Sequence, residues 1–422
     1  MSDFHGRQAE VDQILGLLRN GQSVSLIGPR RIGKSSLLLH LCRPSTGEIY
    51  NLDPPNALFV LLDCQELGGS PAEEVFESLY MNIADAAADA NLLLGNVQQP
   101  GTYRALDRII HQVSKQAVPL IVLLDEFELL AANKHLTPYF FARLRGLTTK
   151  YGLAYLTASQ RPLFAITAEE EILSSPFFNI FVTLPLGLYS FEEAATLFDQ
   201  RLRNSKVNFS PELVQHLIHL VGPHPFFLHL GGYHAYHAIA QDGISSIEDN
   251  YFAVDEAIEV EAESHLSYLW HNLSNEEQVT LALANGSIDL LRQLEQQCLL
   301  SLQDGTYQYT SEILRRYVRR QEVEGIIQAG PFVIDQSRHQ VWADNKLVNL
   351  TISQFSILVR LAQQAGQVVT GDNLEIAVWG EVLHDDPDRL KTLIKRLRRA
   401  IDPYSNWIVS ERGVGYALRQ PE

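Results

Sequence analysis

The sequence predicts a multidomain chain. It opens with an α/β domain, a parallel sheet covered by helices on both faces, and continues into helical and then small mixed domains. Three observations carry this. Short apolar strands alternate with helical stretches up to about residue 187, the pattern of a parallel sheet. From about 188 to 325 it turns helical, and after Gly330-Pro331 it becomes short strands, three helices and a hairpin. At 422 residues the chain is also too long for one hydrophobic core.

The elements follow in order. Residues 8–19 set Val11, Ile14, Leu15 and Leu18 on one helix face, and Gly21 ends the helix. Ser23–Ile27 is a short buried strand, followed by a Gly-rich turn and a helix over 35–42. Leu58–Asp63 is a second strand, with a helix near 71–90 and a loop at 91–101. A helix over 102–116 leads to a strand at 119–125, and a helix over 137–150 to a strand at 153–159. Residues 182–184 are a candidate fifth strand. Turns at Gly222-Pro223 and Asn285-Gly286 break the helical region, and the domains fall at 1–187, 188–266, 267–327 and 328–422.

Composition is that of a globular protein, 46% apolar and 20% charged. No apolar run approaches a membrane span, and the polar N-terminus does not read as a secretory signal. Cys42, Cys64 and Cys298 stand far apart without CxxC pairing, which fits a reducing cytoplasm and burial as small apolar residues. The net charge of −17 argues at first against a nucleic-acid partner. Its distribution reverses that. The stretch from Ile326 to the end holds 11 basic and 11 acidic residues, and six of the eleven residues from Arg389 to Arg399 are basic. Nucleic acid is thereby restricted to the C-terminal end of an acidic chain.

Gly28-Pro29-Arg30-Arg31-Ile32-Gly33-Lys34-Ser35-Ser36 satisfies G-x-x-x-x-G-K-[ST] between a strand and a helix. Glycines let backbone N–H groups turn around phosphates, and the helix N-terminus adds its positive end. Lys34 would reach the β/γ-phosphates and Ser35 would ligate Mg²⁺. The strand ending in Asp125-Glu126 supplies the other half. Asp125 is placed for the Mg²⁺ shell and Glu126 to orient or deprotonate water. Beyond the fourth strand, Arg161 is a candidate γ-phosphate sensor; a surface charge is the plain alternative. The fold class is thus an α/β P-loop NTPase with ATP/ADP and Mg²⁺ as cofactors.

Phe4-His5-Gly6-Arg7, GPRRIGKSSLL, LLDEFELL and GPHPFFLHLGG, in this order and spacing, resemble the AAA-related STAND class of signal-transduction ATPases over about residues 4–320. The resemblance implies a switch, closed with ADP and opened by ATP, often with assembly of copies into a homo-oligomer and a protein or ligand trigger. It assigns the flanks of the base to Gly6, Arg7 and Pro225; any hydrolysis of ATP, expected to be slow, falls to Lys34, Asp125 and Glu126 of the two motifs. Arg143 and Arg145 lie where AAA-type rings supply an arginine to a neighbour's ATP; a solvated face or internal pairing is the simpler reading. Residues 267–327 resemble the winged-helix module that ends such ATPases, and their acidity makes them a packing and gating element.

In the C-terminal region, strands at 332–334, Gln340–Ala343 and 346–349 precede a helix capped by Thr351 that buries Phe355, Leu358 and Leu361. Pro387-Asp388 opens a basic helix over 389–401. Its buried face is Leu390, Leu393 or Ile394, Leu397 and Ile401, with Lys391, Lys395, Arg398 and Arg399 outward. A hairpin around Arg412-Gly413-Val414-Gly415-Tyr416 follows. These segments resemble the OmpR/PhoB-type winged helix. The resemblance implies a basic helix in the major groove of double-stranded DNA, with Lys391, Thr392, Lys395, Arg396, Arg398 and Arg399 in contact and Arg412 on the wing. Gln354 replaces the family's usual acid, and Glu411 beside Arg412 weakens the wing's grip.

Two weaker signals remain. His224, His229, His234 and His237 crowd one segment, where packing is favoured over a metal, and Asp255–Glu263 reads as a solvated helix face. Together the parts describe a cytoplasmic, ATP-controlled DNA-binding regulator of transcription without a membrane partner. They would also suit an AAA-type ATPase that remodels or loads DNA in replication initiation or transposition. A third fit is a defence-type STAND ATPase whose winged helix binds protein.

Overall fold

The computed structural model describes residues 4–52, 56–95, 101–166, 176–242, 251–344, 346–382 and 388–421. They form two compact units, Met1–Ile218 with Pro223–Ile244, and His219–Gly222 with Ser245–Glu422.

The first unit is built on five parallel strands, β1 (Ser23–Ile27), β2 (Leu58–Asp63), β3 (Leu120–Asp125), β4 (Ala154–Ser159) and β5 (Phe181–Pro185). Their order is β2-β3-β4-β1-β5, with every pairing parallel. Position in the sheet explains each strand's composition. The interior strands β3 and β4 are almost continuously buried, whereas the edge strand β2 alternates and β5 is largely exposed. Strand β5 extends the expected 182–184 by one residue at each end.

Helices Ala72–Asp89, Tyr103–Ser114 and Pro138–Tyr151 cover one face through Val75, Leu79, Leu106, Ile110, Phe140 and Leu144. Because all strands run the same way, the turns after β1, β3 and β4 emerge at one end of the sheet. Helix α1 (Gln8–Arg19) precedes β1, and α2 (Lys34–Leu41) follows its turn. Two further helices, Phe191–Leu202 and Pro225–Asp242, fall in the region that sequence reading expects to be a lid, the former opened by a reciprocal Ser190–Glu193 capping box.

The second unit starts with helices Phe252–His271, Asn275–Leu283 and Ile288–Gln296, a hairpin of Leu300–Gln303 and Thr306–Tyr309, and helix Glu312–Arg319. The acidic run is not simply solvated. Glu259 holds Arg316 and Arg320, and Glu263 holds Arg320. With Arg315 on Glu312 and Arg319 on Asp344, the basic helix of this module is neutralised.

An antiparallel sheet of Ile326–Ala329, Phe332–Asp335, Gln340–Ala343 and Lys346–Val348 follows. Its first strand was missed by sequence reading, because Gly330 breaks the apolar pattern. Gly330 has φ +59, and a Cβ there would fall 2.2 Å from the Trp407 ring. Val333 and Trp342 of this sheet bury Leu283 of the preceding module. Helices Ile352–Gln363, Gly371–Trp379 and Arg389–Ala400 share one core with Val369, Ile408 and Leu418. The hairpin Ile408–Glu411/Gly415–Leu418 gains a third strand, Val368–Thr370, on its Gly415 side. Pro387, expected to open the basic helix, lies outside the described residues.

Candidate functional site: a phosphate cavity and a basic helix

The turn after β1 and the start of α2 line a cavity of about 450 Å³. Two of its glycines are required for different reasons. Gly33 sits at φ +104, which only glycine adopts without strain, whereas Gly28 is small because a Cβ would lie 2.7 Å from the Leu186 carbonyl. Lys34 is 8% exposed. Its ammonium donates to the Gly28 and Pro29 carbonyls at 2.7 and 2.9 Å. Burial pulls its pKa below the usual lysine value, against the pull of Glu128, Asp125 and Glu126.

Ser35, Ser36, Arg30, Arg31 and Ile32 line the same cavity, opposite Asp125 and Glu126. Glu126 adopts φ +46 at the end of β3, and its amide donates to the Asp125 carboxylate at 3.0 Å. Burial, then the neighbouring Glu128 and Asp125 charges, raises the Glu126 pKa above the normal carboxylate value. Glu128 was not expected. One of its oxygens accepts the Gln160 amide at 3.2 Å, and the other is buried without a partner. The oxygen donors in the lining, the Ser35 and Ser36 hydroxyls and the carboxylates of Asp125, Glu126 and Glu128, are hard and suited to Mg²⁺. No cluster of three His, Cys, Asp or Glu side chains able to hold a metal occurs among the described residues.

The N-terminal stretch closes one side. The Arg7 amide donates to Glu193 at 2.9 Å, its guanidinium to the Gly187 carbonyl at 2.5 Å, and it lies 4.4 Å over the Tyr189 ring. Gly6 does not line the cavity but must be glycine, since a Cβ would meet Glu193 at 2.9 Å and φ is +66. From the lid region, Pro225 lines the cavity, joined by Phe226, Arg201 and His229, which sequence reading did not assign to it.

One expectation changes. Arg161 does not line the cavity; Gln160 does, while the Arg161 carbonyl accepts the Ser159 hydroxyl. Arg143 is held over the Tyr139 and Tyr103 rings at 4.3 and 4.9 Å, which occupies it within the chain. Arg145 is exposed. In the histidine segment, the Tyr233 ring packs against His237 with centroids 4.4 Å apart and the planes tilted by 59°.

In the second unit the basic helix buries Leu390, Ile394 and Leu397, so Ile394 rather than Leu393 completes the core face. Lys391, Thr392, Lys395, Arg396 and Arg399 are exposed, as is Arg412 at the hairpin tip. Arg398 corrects the expected outward set. Its guanidinium donates to the Ile408 carbonyl at 2.6 Å and the Ser410 hydroxyl at 2.9 Å, tying helix to wing. Lys391 pairs with Asp388 at 2.9 Å, an exposed contact of little energetic weight. Glu411 is engaged by Arg419 at 2.7 Å, which offsets the charge beside Arg412. Gln354 completes the Thr351 capping box that an acid would otherwise make.

Residues 12–288 match the family described as Novel STAND NTPase 2, and residues 344–418 match Transcriptional regulatory protein, C terminal. The sensory transduction protein RegX3 of Mycolicibacterium smegmatis is 35% identical over 98 residues, 22% of this chain and 43% of that protein. The response regulator ArlR of Staphylococcus aureus is 28% identical over 108 residues, 25% of this chain and 49% of that one. The chain thus spans about half the length of the curated relatives it matches. A Walker-type ATPase of Pyrococcus abyssi superposes with a TM-score of 0.53 at 17% identity, covering 75% of this chain and 96% of that one, a likeness of fold alone. No described helix is long and apolar enough to cross a membrane.

Proposed function

Because the chain belongs to the Novel STAND NTPase 2 family and ends in an OmpR/PhoB-type winged helix, we propose that it is a cytoplasmic ATP/ADP-controlled switch that binds double-stranded DNA and regulates transcription. The observation that carries this reading is one cavity shared by the phosphate loop, the Asp125-Glu126 strand end and the lid. A ligand bound there touches core and lid together.

In this reading the loop amides and Lys34 bind the β/γ-phosphates, and Arg7 with Pro225 flanks the base. Ser35 and Asp125 would hold Mg²⁺, which when bound neutralises phosphate charge. Glu126 accepts the proton of the attacking water, aided by its raised pKa, and the Gln160 backbone is fixed by Glu128. Hydrolysis is slow and serves as a timer. Lys391, Thr392, Lys395, Arg396 and Arg399 contact DNA, and Arg412 serves the wing. One winged helix binds weakly, so ATP-dependent joining of copies would raise affinity through effective concentration.

The test is duplex affinity and mass of the full chain with no nucleotide, ADP or ATP. A change of about 10-fold or more between ADP and ATP is expected, an ordinary coupling of about 1.4 kcal/mol. Equal affinities and equal masses in all three states would refute nucleotide control.

A further inference from the structure

A second cavity, of about 490 Å³, opens within the lid between helices Phe191–Leu202 and Pro225–Asp242. Its size is that of a small-molecule site. Its walls are aromatic, from Phe198, Phe209, Tyr233 and Tyr236. The floor depends on Gly232: a Cβ there would lie 2.9 Å from the Phe198 ring, so the missing side chain leaves room for that ring beside the helix. Phe198 is 3% exposed and Tyr233 at the rim 56%.

Among the described residues the lining carries no carboxylate, and Arg201 is its one permanently charged group. Arg201 forms none of the ion pairs among the described residues. His229, which shares the wall, is held below the normal histidine pKa by burial and then by the charges of Arg201 and His5, so it adds no second charge at neutral pH. Aromatic walls with a single cation suit an aromatic body bearing one negative group. Leu197, Arg201 and His229 also line the phosphate cavity.

We propose that this lid cavity is an effector site for a small planar aromatic anion, and that its occupant lowers nucleotide affinity by drawing Arg201 away from the phosphate cavity. The coupling rests on the nucleotide reading above; the binding site itself does not.

The full chain is titrated with anilinonaphthalene sulfonate, an aromatic anion that brightens in apolar surroundings, alone and at saturating ATP. The expected result is binding that persists at saturating ATP with affinity reduced about 5-fold, and a reciprocal 5-fold loss of ATP affinity with the probe bound. Asn204→Trp, at a residue that lines the lid cavity but not the phosphate cavity, should abolish probe binding and leave ATP affinity unchanged. Arg201→Gln should weaken the probe about 10-fold. Complete displacement of the probe by ATP would put it in the nucleotide site and overturn the proposal. So would probe binding indifferent to both variants, which would mark unspecific apolar surface, or no probe binding at all. If ATP alone fails to bind while both variants still weaken the probe, the cavity stands and the coupling falls with the switch reading.

Discussion

The guanidinium of Arg31 lies 4.3 Å from the centre of the Phe226 ring, joining the phosphate loop to the first turn of the lid helix. Arg31 holds φ +63 to reach it, and both residues line the phosphate cavity. A cation–π contact of this kind contributes about 0.5–1 kcal/mol. Phe226→Leu keeps an apolar wall and removes the ring face. ATP affinity should fall about 2- to 5-fold with little change in melting temperature, read by nucleotide titration. Unaltered affinity would mean the stack plays no part in binding.

Lys34→Ala removes a buried cation held by two loop carbonyls. Nucleotide binding should fall by about 100-fold or more, as expected for losing a charge-assisted phosphate contact. DNA affinity of the variant should then no longer respond to ATP. A Lys34→Ala protein that still answers to ATP would show that another cation does this work.

Glu193 ties the N-terminal stretch to the lid, accepting the Arg7 and Ser190 amides. Burial raises its pKa, but the hydrogen bonds from Arg7 and Ser190 outweigh this and the net shift is downward from 4.5. A carboxylate with a depressed folded pKa stabilises the protein above its unfolded value, and that stability is lost as pH falls through the folded one. Wild type should therefore lose stability below about pH 4.5 more steeply than Glu193→Gln. Parallel melting curves for the two proteins across that range would contradict it.

Arg398 and its neighbours on the basic helix should separate cleanly. Arg398→Ala frees a half-buried carbonyl and a hydroxyl, and should destabilise the winged domain by about 1–3 kcal/mol. Lys395→Ala with Arg396→Ala should leave melting unchanged, weaken DNA binding and flatten the dependence of log affinity on log salt by about 2. Calorimetry and salt titration read the two effects. Destabilisation by the Lys395/Arg396 pair, or none by Arg398→Ala, would reverse the assignment.

Much of this was legible in the residues. The phosphate loop, the paired acids after β3 and the apolar face of the basic helix are local patterns, fixed by spacing along one element. Glu128 lay three residues from Asp125 on the same short segment, and its polarity among apolar neighbours was a signal that went unread. Tyr189 and Arg201 carried no such signal, and Phe226 and His229 none that pointed to the phosphate cavity, because each becomes part of it only when the lid folds back on the strand ends.

What the sequence determined by itself was where backbone and charge are obliged to do particular things. A loop that needs Gly33, a strand that must end in acids and a helix with one apolar stripe follow from chain geometry over a few residues. The tertiary structure decided which charges are left to act. Arg398 turns to the wing, Arg143 is held by two tyrosines, and Arg315, Arg316 and Arg320 are cancelled by glutamates. A charged side chain is flexible, and its partner is set by whichever acceptor or ring packing brings within about 3–5 Å, a distance that sequence separation does not encode.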